Sequence, residues 1–168
     1  MRKGLRHLRT GALAALAVLM FAGAAAPALA ADVKIGVLVP RTGRYAESGL
    51  SVLRGIEMVV KQTNSAGGIT SLGGAKIDLV IADNGSEAAK TSLEARRLMS
   101  EEQVSFILGP YSTPEAQAFM PVADRYQVGG LGLQTTIVPT TPYFATISIS
   151  AEGFGKGYAD LVSWLRKK

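Results

Sequence analysis

Two residue types that carry much enzyme and metal chemistry are almost missing from this 168-residue sequence. It contains no cysteine, and its single histidine is His7, close to the N-terminus. Without cysteine there is no disulfide framework, no thiolate zinc site and no thiol nucleophile. Loss of residues 1–30 would also remove the only imidazole, which excludes serine–histidine and cysteine–histidine catalysis. No P-loop, zinc-ligand spacing or nucleophile elbow is found, so we expect no catalysis, no cofactor and no bound metal.

The first 30 residues have the three-part layout of a secretory signal peptide. Four basic residues precede any acidic one, and the apolar run 11–26 follows them. The segment ends with small residues at Ala28 and Ala30, the two positions that a signal peptidase reads. The run is short for a hydrocarbon core of about 30 Å and is interrupted by Gly23, which argues against a membrane anchor. We predict cleavage after Ala30, export by the general secretory route, and a periplasmic or extracytoplasmic location.

Removing this segment also removes most of the basic character of the chain. The complete sequence has 18 Lys and Arg against 13 Asp and Glu, a net charge of +5. Four of the cations lie in residues 1–30 and none of the acids do. The remainder therefore has 14 cations (18 − 4) against 13 acids, a net charge of +1. A nucleic-acid partner is not predicted from such a balance.

Strand and helix patterns alternate regularly after residue 32. Mostly apolar runs, typical of buried parallel strands, occur at 33–39, 76–82, 104–108 and 128–133, with an extended stretch at 143–149. Apolar residues recur at helical spacing at about 51–64, 86–100, 114–126 and 153–166. This alternation predicts an α/β fold of three layers, with a parallel sheet between helices. Ser86 and Thr113 are predicted N-caps of the second and third helices.

Polar side chains gather at the predicted carboxyl ends of the strands, where open parallel sheets bind ligands. Ser112 and Thr113 follow the third strand at the start of a helix, whose free amides suit a carboxylate or another hydrogen-bond acceptor. Pro114 removes one donor there, and Glu115 adds a negative charge. An amide and two hydroxyls follow the fourth strand at 134–136. These patterns favour a site for a small polar solute, although a plain helix cap and a solvated turn are the simpler alternatives.

Three further residues near these strand ends each have two interpretations. Tyr45 and Tyr111 are placed either to stack on a ligand or to cover the loops that carry them. Asp83 ends the second predicted strand, where a phospho-acceptor carboxylate would lie. We predict a turn residue instead, because an exported chain does not meet the phosphate donors of the cytoplasm and Asp is common in turns.

Six short segments each occur once in the chain, and their order and spacing, taken together, are characteristic of one protein family. They are 33–43, 64–69, 79–84, 106–113, 121–126 and 151–158, and they read VKIGVLVPRTG, NSAGGI, LVIADN, FILGPYST, PVADRY and AEGFGKGY. The chain resembles the branched-chain amino acid (leucine/isoleucine/valine) family of type I periplasmic solute-binding proteins throughout the part that follows residue 30. This resemblance implies a fold of two α/β lobes that close on a small-molecule ligand, and delivery of that ligand to the permease of a membrane ABC transporter.

The resemblance also implies six ligand contacts, namely Ser48, Ser112, Thr113, Gln134, Thr135 and Thr136. In the family, the position of Thr113 holds the carboxylate of the ligand. The 134–136 loop holds both its ammonium and its carboxylate, and the position of Ser48 can touch its side chain. Gln134 and Thr135 depart from the commonest pattern of the family. Members bind amino acids, amides, urea or small aromatic acids, and the sequence does not choose among these classes.

The same resemblance divides the chain into three parts. Residues 1–30 are the signal peptide, 31–146 the N-terminal lobe, and 147–168 the hinge crossing with the first helix of a second lobe. The last predicted helix carries an apolar stripe with no strand after it, so we interpret the sequence as an N-terminal fragment. The main alternative to a transport receptor is a ligand-sensing domain of the same fold that controls a signalling partner.

Overall fold

The computed structural model describes residues 31–133, 136–147, 162–163 and 165–166. Strands and helices alternate along the first two of these ranges as the sequence predicts, with one additional 3₁₀ turn. The elements are β1 (Val33–Val39), α1 (Ala46–Ser65), the 3₁₀ turn (Thr70–Leu72), β2 (Ile77–Asp83), α2 (Ala88–Ser100), β3 (Phe106–Leu108), α3 (Thr113–Tyr126), β4 (Gly129–Gly132) and β5 (Phe144–Thr146). The predicted α/β fold is confirmed.

The five strands form one parallel sheet in the order β2-β1-β3-β4-β5. Strand β1 lies between β2 and β3, with Ile35 opposite both Leu79 and Phe106. Its residues 37–39 are completely buried, which explains why this strand is nearly all apolar. Because all five strands run in one direction, their carboxyl ends and the loops that follow them share one edge of the sheet.

Helices cover both faces of this sheet. Successive residues of a strand point to opposite faces, and β1 shows this clearly. Leu38 belongs to the larger buried cluster, which includes Leu98 of α2 and Phe119 of α3. Val37 belongs to a second cluster with Leu53 of α1. The α2–α3 layer and the α1 layer therefore lie on opposite sides of the sheet, which confirms the predicted three layers.

Glycine in β4 allows α3 to pack closely on the sheet. Phe119 of α3 is fully buried, and the centroid of its ring lies 5.7 Å from that of Phe144 in β5. A Cβ atom added to Gly130 would overlap the ring of Phe119. A side chain at this position would push the ring, and α3 with it, away from the sheet. The space required by the ring explains why the fourth strand contains glycine where β-branched residues are usual.

Helix α1 begins at Ala46, earlier than the predicted start at residue 51. The sequence misleads here because Gly49, a poor helix former, falls within the first turns of the helix. A Cβ atom at Gly49 would overlap the carbonyl oxygen of Pro40, just beyond β1. Glycine is therefore present for the close approach of α1 to the end of β1, and it does not mark a loop.

Some of the predicted segments lie outside the described residues. The signal peptide, residues 1–30, is one of them, and most of the predicted helix 153–166 is another. Val162 and Leu165 are described within that helix, and both are about half exposed, at 46% and 56%. The boundary placed after residue 146 stays a prediction. Of the helices in the described part of the chain, none combines the length and apolar character that crossing a bilayer requires.

Candidate functional site

An open groove of about 350 Å³ lies at the edge formed by the carboxyl ends of the strands. Its lining comes from three of the loops at this edge and consists of Tyr45, Tyr111, Ser112, Thr113, Pro114 and Thr136. Three of the six predicted contact residues therefore line one groove. Gln134 and Thr135 lie outside the described residues. Ser48 is half-buried on the first turn of α1, and it does not line the groove.

The start of α3 is organised by Glu115. Ser112 is the N-cap residue and Thr113 the first residue of the helix, so the prediction of Thr113 as the N-cap is wrong by one position. Ser112 and Glu115 occupy the N-cap and N3 positions of a capping box. Oε2 of Glu115 accepts hydrogen bonds from the backbone amides of Tyr111, at 3.1 Å, and Ser112, at 3.0 Å. The carboxylate of Glu115 thus satisfies two amides that would otherwise be free to bind an external anion.

The hydroxyl of Ser112 is buried, and its proton has no acceptor among the described residues. Ser112 is only 7% exposed; its Oγ faces the amide of Glu115 in the capping box but makes no hydrogen bond of good geometry. Leaving a buried hydroxyl unsatisfied costs about 1–3 kcal/mol, so such groups normally have a protein, water or ligand partner. Ser112 lines the groove. Its hydroxyl is therefore placed to hydrogen bond with a molecule that enters the groove.

Two threonines join the start of α3 to the loop after β4. The backbone amide of Thr136 donates to Oγ1 of Thr113 at 3.1 Å, and the two Oγ1 atoms lie 3.3 Å apart. Since Oγ1 of Thr113 already accepts a hydrogen bond from an amide, its proton remains to be donated to Thr136 or to a ligand. Hydroxyls from loops that are far apart in sequence therefore converge on one side of the groove.

Two aromatic rings form another part of the lining. The rings of Tyr45 and Tyr111 are tilted by 51° with centroids 5.6 Å apart, a favourable aromatic arrangement. The guanidinium carbon of Arg44 lies 4.6 Å from the centroid of the Tyr45 ring, within the range of a cation–π interaction. Both tyrosines line the groove, so the prediction that they lie near the strand ends where a ligand would bind is confirmed. They add apolar ring surface to the hydroxyls of the lining.

Asp83 connects the loop after β1 to the loop after β2 at this edge of the sheet. The sequence predicted only a turn residue here. Oδ1 accepts hydrogen bonds from the amides of Arg41, at 2.8 Å, Thr42, at 3.2 Å, and Gly85, at 2.9 Å. The hydroxyl of Thr42 donates to Oδ2 at 2.7 Å, and the ammonium of Lys90 lies 3.5 Å from it. The predicted turn is confirmed, since the bond from Gly85 closes an Asx-turn.

These contacts determine the charge state of Asp83. Partial burial alone would raise its pKa, but the hydrogen bonds from the hydroxyl of Thr42 and from the amides of Gly85, Arg41 and Thr42 outweigh this effect. The pKa of Asp83 is lowered well below its ordinary value of 3.8. The ionised carboxylate is thus favoured by folding, because all of these donors stabilise the charged form.

We predict that Asp83→Asn weakens the fold at neutral pH by about 1–2 kcal/mol, since charge-assisted hydrogen bonds become neutral ones. A depressed carboxyl pKa contributes stability above the pKa of the unfolded chain and loses it as pH falls through the folded value. The difference between the variant and the unaltered protein should therefore shrink as pH falls below about 4. Urea unfolding at pH 7, 4 and 2 measures it. Asp78→Asn, an exposed position on the same strand, is the control, and an equal effect there would contradict the prediction.

A second groove of about 430 Å³ lies between α1 and the sheet. Its lining is entirely apolar and comprises Ile35, Val52, Gly55, Ile56, Val59, Val60, Ile77 and Leu108. It offers no hydrogen-bonding side chain to orient a polar solute. In the described part of the chain, no group of three Asp, Glu, His or Cys side chains could hold a metal ion. Of these two grooves, the one at the strand ends suits a polar ligand.

The chain matches a known protein family. The family model described as "Periplasmic binding protein" matches residues 32–167. The chain belongs to this periplasmic binding protein family. The Leu/Ile/Val-binding protein homolog 7 of Brucella abortus is 39% identical over 112 residues, which are 67% of this chain and 27% of the relative. An amino acid binding protein of Pseudomonas aeruginosa is 35% identical over 123 residues, 73% of this chain and 31% of its own length.

Solved structures of the same family superpose on the described fold. The branched-chain amino acid transporter substrate-binding protein of Streptococcus pneumoniae, in complex with isoleucine, has a TM-score of 0.66 at 25% identity. The match covers 71% of this chain and 34% of the Streptococcus pneumoniae protein. A solute-binding protein of an ABC transporter from Rhodopseudomonas palustris, in complex with 3,4-dihydroxybenzoic acid, has a TM-score of 0.63 at 26% identity, over 71% and 32% of the two chains.

Two facts follow from these matches for this periplasmic binding protein. The similar proteins are solute-binding proteins and not enzymes, in agreement with the non-catalytic role expected from the sequence. The chain also spans only about a third, or less, of the length of the relatives that it matches. The described lobe therefore corresponds to one part of those proteins.

Proposed function

We propose that this periplasmic binding protein captures a small polar solute, such as an amino acid, an amide or a related carboxylate, in the groove at the strand ends. The observation that carries the proposal is the convergence of the hydroxyls of Ser112, Thr113 and Thr136 on one groove, with that of Ser112 buried and its proton without an acceptor among the described residues. Hydroxyls both donate and accept hydrogen bonds, and reversible binding sites commonly orient a solute with a few such groups.

Each wall of the groove has a distinct role in this proposal. Ser112 and Thr113 donate hydrogen bonds to an acceptor of the solute, and Thr136 adds a third hydroxyl from the neighbouring loop. Tyr45 and Tyr111 cover the apolar part of the solute with their rings. Gln134, Thr135 and Ser48 are kept as proposed contacts from the family resemblance.

The groove is open to solvent, so it surrounds only part of a solute. Sites for small molecules normally bury 70–90% or more of a ligand's surface, as a rough guide. We assign the missing wall to a second lobe, as in the two-lobed family that the sequence resembles. The solute held between the lobes would then be delivered, outside the cytoplasmic membrane, to the permease of an ABC transporter.

A binding titration with the full-length protein tests the proposal. The probes are L-isoleucine and 3,4-dihydroxybenzoate, which similar proteins hold, and acetamide as an uncharged amide. At least one probe should bind saturably by calorimetry and raise the midpoint of thermal unfolding, because a ligand that binds only the folded state stabilises it. D-Glucose, which carries neither a carboxylate nor an amide, is the control. No binding of any of the three probes would contradict the proposal.

A further inference from the structure

Residues 83–87, which are the last residue of β2 and the loop that follows it, are hydrogen-bonded to the loop that leads into α1, residues 40–45. Asp83 holds the amides of Arg41 and Thr42 and the hydroxyl of Thr42. Ser86 continues the contact, since its hydroxyl donates to the carbonyl of Thr42 at 3.1 Å and accepts from the amide of Tyr45 at 3.1 Å. These two side chains fix the backbone of the α1 loop at both ends of the stretch 41–45.

The two loops also pack tightly against each other. Gly43 has a φ of +81°, and a Cβ atom added to it would overlap the carbonyl oxygen of Gly85 and lie 2.8 Å from Oγ of Ser86. No side chain separates the loops at this point. A change in the position of Ser86 must therefore be transmitted to the backbone that precedes α1.

The position of Ser86 is fixed by its backbone conformation and by a hydrogen bond to Asn84. Its φ of 63° lies in the left-handed region, and its amide donates to Oδ1 of Asn84 at 3.2 Å. Asn84 is completely buried, and its side-chain amide donates to Oγ1 of Thr91 in α2 at 3.1 Å. A chain of hydrogen bonds thus leads from the buried side of α2, through Asn84 and Ser86, to the amide of Tyr45.

Tyr45 is the point at which this connection reaches the groove. It is the residue immediately before α1, it lines the groove, and it packs on Tyr111. No residue from 83 to 87 lines the groove. The side chains of Asp83 and Ser86 therefore touch the loop that carries the aromatic wall, but they do not touch the space that the solute would occupy.

We propose that Ser86, supported by Asp83, is a positioning residue for ligand binding and that it acts on affinity through Tyr45. This inference rests on the proposed function of the groove. The hydrogen bond from the amide of Tyr45 to Ser86 fixes the start of α1 and so places the Tyr45 ring against Tyr111. Loss of the Ser86 hydroxyl lets this ring withdraw from the solute while every group that contacts the solute stays in the protein.

A double-mutant cycle tests this in the full chain, with L-isoleucine and 3,4-dihydroxybenzoate as probes. Ser86→Gly removes the hydroxyl, and glycine accepts the left-handed backbone without strain. It should weaken binding roughly three- to tenfold, as expected for loss of one hydrogen bond that organises a site. In a Tyr45→Ala background the same change should have little effect, since contacting groups couple and independent ones add. Ser92→Ala, which removes a hydroxyl bonded to the carbonyl of Ala118 away from the groove, should leave affinity unchanged.

Hydrogen exchange at the amide of Tyr45 provides a readout that needs no ligand. Ser86→Gly should accelerate exchange at this amide at least tenfold, and Ser92→Ala should not. Equal losses of affinity from Ser86→Gly with and without the Tyr45 ring would overturn the inference, as would unchanged exchange at Tyr45. If neither of these probes nor acetamide binds the unaltered protein, the proposed function fails, and the inference fails with it. If a probe binds but the cycle shows no coupling, only the inference is overturned.

Discussion

Gly109→Ala is expected to destabilise the protein by about 3–5 kcal/mol, a large share of the roughly 5–15 kcal/mol that holds a typical domain folded. Gly109 follows β3, directly before the loop that carries Tyr111 and Ser112. Its φ of +124° lies in a region that residues with a side chain rarely adopt. A Cβ atom there would also overlap the carbonyl oxygen of Leu38 in the neighbouring strand. The backbone cannot relieve both problems without moving β3 away from β1.

Glycine to alanine at Gly55 is a matched control, for which we expect a change in stability of the opposite sign. Gly55 lies within α1, and a Cβ atom added to it would meet nothing within 4 Å. Gly55→Ala should therefore stabilise the protein by roughly 0.5–1 kcal/mol, because alanine loses less backbone entropy in a helix. Urea unfolding followed by circular dichroism measures both variants. Similar stabilities for Gly109→Ala and Gly55→Ala would show that the close approach at Gly109 has been misjudged.

Removal of the threonine hydroxyls is expected to give the largest effect on affinity. Thr113→Val and Thr136→Val each retain the shape of the side chain and remove one of the proposed hydrogen bonds to the solute. Each should cost about 1–3 kcal/mol, roughly tenfold or more in the dissociation constant. The two hydroxyls lie 3.3 Å apart, so the effects in the double variant should not simply add. Calorimetry with L-isoleucine and 3,4-dihydroxybenzoate measures the change.

Two controls separate hydrogen bonding from loop damage in this experiment. Thr113→Ser keeps the hydroxyl, and with it the bond from the amide of Thr136, so its affinity should stay close to that of the unaltered protein. Thr140→Val removes a hydroxyl from the same loop as Thr136 at a position that does not line the groove, so it should leave affinity unchanged. Unchanged affinity in both Thr113→Val and Thr136→Val would place the binding site elsewhere.

The fold was largely predictable because its strongest signals are local. A fully buried central strand such as β1 is nearly all apolar, and the helices repeat their apolar residues at helical spacing. The errors occurred where a distant segment decides the local structure. Gly49 lies inside α1 because the helix packs on Pro40. Ser86 binds the loop before α1, 41 residues away at Tyr45, so it does not cap its own helix.

The candidate site was predicted less completely for a related reason. Ser112, Thr113 and Thr136 could be proposed from their places at strand ends and from the family resemblance. The sequence showed Glu115 as a favourable acid in the first turn of the helix whose charge counts against a bound carboxylate. It did not show that folding turns this carboxylate inward onto the amides of Tyr111 and Ser112. Such a contact depends on the exact path of the chain into α3, which spacing alone does not define.

Mapping of bound solute by NMR tests the central claim most directly. Addition of L-isoleucine or 3,4-dihydroxybenzoate to the isotope-labelled full-length protein should shift the amide signals of Tyr45, Tyr111, Ser112, Thr113 and Thr136 more than the others, and the shifts should saturate together. The apolar groove between α1 and the sheet serves as an internal comparison in the same spectra. Shifts concentrated there, at residues such as Ile35 and Val59, or spread evenly over the chain, would contradict the assignment of the groove at the strand ends as the solute site.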